Sequence, residues 1–190
     1  MFVLDSHCDT PSQIMRLRNL SVDNPYAHVD FPKLRAGGVD ASFFALYTPE
    51  TMSPDAATRY ALEMLAGIND AVEAAPDMAA LANSPEEAYR NKAAGKTSVF
   101  VGMENGLPIQ GSLALLRQFY RMGVRYMTLT HNTDNQICDS AAEGHRWGGL
   151  SPFGRQVVAE MNRLGMIIDL AHASDSTFYD CVRCSKAPVV

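Results

Sequence analysis

The sequence lacks most of the features that would place a protein at a glance. No apolar run approaches the ~20 residues that a membrane-spanning helix needs. The opening MFVLDSHCDT has no basic stretch leading into an apolar one, so no secretory leader is read there. Neither G-x-G-x-x-G nor G-x-x-x-x-G-K-[ST] occurs, which argues against dinucleotide and P-loop phosphate sites. Positive charge is in deficit: 16 Lys and Arg face 21 Asp and Glu, a net charge of −5. The basic residues are also scattered, so the footprint of a nucleic-acid binder is missing. Cysteine is sparse, at 4 in 190 residues, which excludes a disulfide scaffold. With 47% apolar and 19% charged residues, the chain has a globular composition and not a disordered one. These exclusions predict a soluble, cytoplasmic protein with neither nucleic acid nor membrane as partner.

What is present is a regular alternation. Apolar, strand-like runs fall at residues 2–4, 39–46, 98–103, 126–130 and 166–170, and residues 187–190 open a sixth. Most are continuously apolar, as strands covered on both faces must be. Between them lie helices with readable starts. Ser53-Pro54 and Ser151-Pro152 each offer an N-cap followed by a proline in the first turn, and Ser84-Pro85-Glu86-Glu87 has the form of a capping box. Tyr60, Met64, Ile68 and Val72 recur at four-residue spacing, Phe153, Val157, Met161 and Leu164 form a second apolar stripe, and Leu113, Leu116 and Tyr120 a third. Four junctions, at Gly37-Gly38, Gly95, Gly123 and Gly165, place glycine between a helix and the next strand. Such βα repetition implies a parallel sheet. Without a phosphate fingerprint, a (β/α) barrel is favoured over a doubly wound sheet. About six of eight βα units are counted, and a full barrel takes ~250 residues. The expectation is one domain over residues 1–190, the N-terminal part of a (β/α)8 barrel in a longer polypeptide.

A barrel builds its active site at the carboxyl ends of its strands, and the polar residues gather there. The first run leads into Asp5, His7 and Asp9, the third into Glu104, the fourth into Thr130-His131-Asn132, and the fifth into Asp169 and His172. His7 and Asp9, two apart in an extended segment, can reach one ion. Imidazole with carboxylate suits zinc or another borderline divalent cation. Each residue has a plainer reading: a surface His-Asp pair, a salt bridge from Glu104 to an arginine, a hydrogen-bonded core histidine at 172. The set as a whole, at equivalent strand ends, points to a metal centre. His28 and His145 read as solvated loop residues. Cys181 and Cys184 read as helix residues, with no second C-x-x-C to complete a zinc site, and Cys8 faces away from His7 and Asp9.

Six segments carry a resemblance: Asp5-Ser6-His7-Cys8-Asp9, Val101-Gly102-Met103-Glu104-Asn105-Gly106, Arg125 through Asn132, Gly149-Leu150-Ser151-Pro152-Phe153-Gly154, Glu160 through Gly165, and Ile168 through His172. In order and together they resemble the membrane (renal) dipeptidases of peptidase family M19. The resemblance implies an amidohydrolase-type (β/α)8 barrel holding two zinc ions and hydrolysing small dipeptides, often with a D-residue at the C-terminal position, through a metal-bridging hydroxide. It implies His7 and Asp9 on the first zinc, Glu104 bridging both, and His172 on the second. His131 would bind substrate and steady the oxyanion, so that Glu104 and His131 are the catalytic residues. In the family pattern a second histidine for the second zinc, a substrate-binding arginine and a proton-shuttling aspartate follow beyond residue 190. Homodimers are common in the family. The alternatives are hydrolysis of another small amide or a lactam, or a catalytically incomplete barrel piece with a binding or structural role.

Overall fold

The computed structural model describes residues 1–143 and 145–190. The elements run β1 (Leu4–Cys8), α1 (Pro11–Ile14), α2 (Phe31–Ala36), β2 (Ala41–Tyr47), α3 (Pro54–Glu73), β3 (Ala79–Leu81), α4 (Pro85–Ala93), β4 (Thr97–Glu104), α5 (Leu113–Arg121), β5 (Val124–Thr128), α6 (Pro152–Leu164), β6 (Ile167–Asp169) and α7 (Asp175–Cys184). The strand order is β1-β2-β4-β5-β6, with β3 on β4. The pairs β1–β2, β3–β4 and β5–β6 are parallel, as the alternation of strand and helix requires. Among the described residues no helix is long and apolar enough to cross a membrane. Contacts group the chain into two units, Met1–Leu46 with Leu62–Gly102, and Tyr47–Ala61 with Met103–Val190.

In the first unit the six residues from Ala41 to Leu46 in β2, and β4 along its length, are buried, which is why both read as unbroken apolar runs. Met64, Leu65, Ile68 and Val72 form the buried stripe of α3. The capping box at α4 is one residue wider than expected. The Ser84 hydroxyl accepts from the Glu87 N–H at 3.3 Å, but the Glu87 carboxylate reaches back to the N–H of Asn83, at 2.7 Å. The strand β3 and the short helix α1 were not anticipated. β3 is three residues of Ala-Ala-Leu, too short and too alanine-rich to carry a strand signal. α2 starts at the wholly buried Asp30, whose carboxylate accepts from the Lys33 N–H at 2.9 Å.

In the second unit β5 and β6 pair in register, Tyr126 with Ile167 and Thr128 with Asp169. α6 opens at Ser151, whose hydroxyl accepts from the Gly154 N–H at 2.8 Å, and buries Val157, Val158 and Met161. Gly165 ends it at φ 76°, a left-handed residue that turns the chain directly into β6. In α5, Phe119 and Leu116 are buried, while Leu113 and Tyr120 are half-buried. The expected last strand begins as anticipated, with Val189 bridging Ile168 in parallel and Leu170 N–H donating to the Val190 carbonyl at 2.8 Å.

Two strand positions differ from the expectation. β1 covers residues 4–8 and not 2–4, so Asp5 and His7 lie within the strand. β5 covers 124–128 and not 126–130, starting through Arg125. That arginine is accommodated because its guanidinium lies over the Tyr120 ring at 4.4 Å and donates to the Tyr120 carbonyl at 2.8 Å.

Candidate metal centre

In the first unit, His7 and Asp9 stand at the carboxyl end of β1 as a pair, Nε2 to Oδ1 3.3 Å. The register of β1 against β2 shifts between Asp5 and Cys8, a bulge that re-aims the side chains around His7. Asp5 brackets that bulge. Its carboxylate accepts from the Ser42 hydroxyl at 2.8 Å and from the His7 N–H at 3.3 Å. Cys8 turns inward, as the period of two requires, and its thiol donates to the Thr10 hydroxyl at 3.0 Å. Burial pushes that thiol up from its ordinary range, against its bonds to Thr10.

In the second unit, Glu104, His131 and His172 converge. Glu104 ends β4 and is almost wholly buried. Its Oε1 lies 3.5 Å from His131 Nε2 and 3.5 Å from His172 Nε2, and the two imidazole centroids are 4.1 Å apart. One ligand atom from each of the three lies within 4.8 Å of the others. A buried carboxylate must be paired or coordinated, and here it faces two imidazole nitrogens, a donor set that suits a borderline divalent cation. The residues therefore fit the metal that the sequence pattern implies.

The backbone around this cluster is constrained. Asn105, directly after Glu104, has φ 74°, and His172 itself has φ 66°. Left-handed backbone at non-glycine residues is uncommon, and it gathers where a site over-determines the conformation. The Asn105 amide donates to the Thr48 carbonyl at 3.0 Å and its Oδ1 accepts from the Leu107 N–H and the Asn135 amide, both at 3.2 Å. Ser140 and Ala141 clamp the two histidines by their main chains. The Ser140 hydroxyl donates to the His131 carbonyl at 2.6 Å, and the Ala141 N–H to the His172 carbonyl at 2.8 Å. Asp169 repeats the device of Asp5, accepting from the Thr128 hydroxyl and from the Ala171 N–H two residues on.

Glu50 joins the cluster from the segment after β2 and was not anticipated. One of its oxygens accepts from His131 Nδ1 and from the Asn132 N–H. Burial pushes its carboxyl up, but these hydrogen bonds, that of His131 first, outweigh it and hold the group at about 2. The only sequence signal was a carboxylate three residues past an apolar run, which by itself distinguishes nothing. His28 and His145 are exposed, as expected. Cys181 is buried in α7, and burial pushes its thiol up to about 12, so it behaves as core and not as a ligand.

Parallel strands alternating with helices, with carboxylates and imidazoles at the carboxyl ends of several strands, define an α/β protein of the barrel type. The sequence model of the membrane dipeptidases (peptidase family M19) matches residues 1–190, and the chain belongs to that family. It is 35% identical over 188 residues to Dipeptidase aclJ of Aspergillus oryzae, covering 94% of this chain and 44% of that protein. Among solved structures it is similar to an amidohydrolase from Pseudomonas aeruginosa, with a TM-score of 0.80 and 25% identity over 99% of this chain and 51% of the other. It also shares its fold with a metallo peptidase from Rhodobacter sphaeroides, with a TM-score of 0.89 and 24% identity over 100% of this chain and 64% of the other. The chain thus spans less than half the length of the fungal relative and between 51% and 64% of these two solved chains.

Proposed function

We propose that the chain supplies the larger part of the catalytic centre of a zinc-dependent dipeptidase. The observation that carries this reading is the buried Glu104 carboxylate facing His131 and His172 in a member of family M19. His7, Asp9 and Glu104 are the ligands of one ion, and Glu104 and His172 ligands of a second, which a protein of its relatives' length completes from elsewhere in its chain. When bound, two such cations supply an activated water and polarise the scissile carbonyl.

The chain's own residues do the rest. Glu104, fixed by β4 and by the Asn105 turn, is the residue that would be shared by the two cations, and it presents its negative charge to His131 and His172. His131 presents Nε2 to the same place and donates a hydrogen bond to the oxygen that gains charge as the tetrahedral centre forms, an interaction stronger in the transition state than in the ground state. The low exposure of Glu104 and His131 keeps water from screening either interaction.

The substrate class is small dipeptides, with a D-residue accepted at the C-terminal position. The Rhodobacter sphaeroides neighbour is liganded with a phosphinate mimic of L-Ala-D-Ala, which guides the choice of test compound. The full-length protein should hydrolyse Gly-D-Ala, lose that activity in chelator, and regain it on adding Zn²⁺. Hydrolysis that persists after the metal is removed would sink the reading.

A further inference from the structure

Glu50 lies in none of the segments that carry the family pattern, yet it touches the histidine on which the proposed reaction turns. Its side chain is 18% exposed. A single oxygen, Oε1, takes hydrogen bonds from His131 Nδ1 and from the N–H of the next residue, Asn132, at 3.0 Å. Two donors from adjacent residues fix that carboxylate against the turn and against the ring together.

The segment that delivers Glu50 is itself held. The Thr48 N–H donates to the Glu104 carbonyl at 3.3 Å, and the Asn105 amide donates to the Thr48 carbonyl at 3.0 Å. Tyr47 packs edge-on to the His131 ring, centroids 5.0 Å apart. The imidazole is therefore gripped at its far nitrogen, with its other nitrogen, Nε2, 3.5 Å from Glu104. A carboxylate on one ring nitrogen fixes the plane of the ring, and with it the direction in which the other nitrogen points.

We propose that Glu50 is a positioning residue, which holds the ring of His131 at Nδ1 and so fixes the orientation in which Nε2 is presented to the centre. This rests on the reading that His131 acts on the substrate. Glu50 acts through the ring of His131, with the Asn132 N–H and the Tyr47 hydroxyl holding the carboxylate in place.

The test uses the full-length enzyme with Zn²⁺ and Gly-D-Ala. Glu50→Gln keeps the size and one acceptor for Asn132 but offers the ring an amide. It should lower kcat by roughly 10–100-fold, the usual cost of losing an outer partner of a catalytic or ligating histidine. KM, zinc content and Tm should stay at wild-type values, and Glu50→Asp should recover part of the loss. In a His131→Gln background the same Glu50→Gln change should have no further effect, because residues acting as one unit are not additive. Unchanged kcat in Glu50→Gln would overturn the proposal, as would losses that multiply in the double variant. If the wild-type protein turns over no dipeptide, the functional reading fails by itself. The ring then decides separately. Crystal structures of the wild type and Glu50→Gln should show the His131 ring held as described in the first and turned in the second, and an identically oriented ring in both would sink the proposal.

Discussion

The end of β1 and the ends of β4, β5 and β6 carry the same residue types in different states of burial. His7 and Asp9 expose 37% and 65% of their side chains, whereas Glu104 and His131 expose 8% and 14%; His172 beside them is as open as His7, at 35%. The buried group is tied into a network before any ion arrives: Glu50 on the His131 ring, Ser140 and Ala141 on the two histidine carbonyls, Asn105 on the turn after Glu104. The exposed pair has one local device, the Asp5 carboxylate at the bulge. Burying a carboxylate costs several kcal/mol unless bonds or a cation offset it. The exposed pair incurs little of that cost. The Glu104 group is therefore preorganised by its own network, and the His7–Asp9 pair is held by local contacts alone.

Glu104→Gln tests this most severely. On its proposed role as a metal ligand, it should lower the dipeptide turnover of the full-length protein by about three orders of magnitude. In the metal-free protein the same change should leave Tm unchanged or raise it, because an amide is easier to bury than a carboxylate. A large fall in the metal-free Tm would break the comparison. Gly154→Ala comes next. A Cβ there would stand 2.0 Å from the Ile137 carbonyl oxygen and 3.1 Å from Leu150 Cδ2. Overpacking of this kind costs about 1–3 kcal/mol, and backbone on the far side of the clash puts it at the upper end. The strain passes into the segment that leads to Ser140, so urea midpoint and turnover should fall together. Smaller still is the effect at the open histidines. Asn tolerates the left-handed backbone of residue 172, so His172→Asn isolates the side chain. His172 and His7 are 35% and 37% exposed, so either change to Asn should stay within ~0.5 kcal/mol of the metal-free wild type. Each should remove one equivalent of bound zinc, and a larger metal-free loss would show that burial is not what separates them from Glu104.

The residues that hold the proposed metal were legible because each closes a local pattern. His7 and Asp9 alternate in an extended segment, Glu104 ends an unbroken apolar run, and His172 follows Ile-Ile-Asp-Leu-Ala. Their supports were not legible. Glu50 meets His131 across 81 positions, and Asn105 meets Thr48 across 57. A hydrogen bond of such range leaves no periodic trace in sequence. The misplacement of β1 has a related cause. Its burial pattern is mostly exposed, ending in the buried Cys8, since several of its side chains serve the site and not the core. A search for apolar runs therefore stops at Leu4, where the functional strand begins. β3 escaped because three residues of Ala-Ala-Leu carry no propensity that outweighs a loop. The barrel class itself survived these errors, because it rests on the repeated strand–helix–glycine unit and not on any single strand.

The smallest effect belongs to an ion pair far from any catalytic role, and it serves as a control for the buried one. Glu160 on α6 accepts from Arg163 at 2.7 and 2.8 Å and from Arg117 of α5 at 3.0 Å. The Arg163 guanidinium first, then Arg117, hold its carboxyl at about 2 against the modest opposing effect of burial. Its folded value lies below the ordinary carboxylate value of 4.5. The stabilisation is therefore complete above that pH and disappears as pH falls from 4.5 towards 2. Glu160→Gln should flatten the stability curve in that window and cost no more than about 1 kcal/mol at neutral pH, since Arg163 is open to solvent and screened. Urea midpoints of variant and wild type, measured from pH 2 to 6 and subtracted, isolate this carboxylate from the others. Parallel curves would mean that the pair contributes nothing. A difference that closes towards pH 2 would show an ordinary ion pair, whose charge helps the folded state wherever it is ionised. The metal-free Tm of Glu104→Gln, read beside this result, is what sets a site awaiting a cation apart from a finished salt bridge.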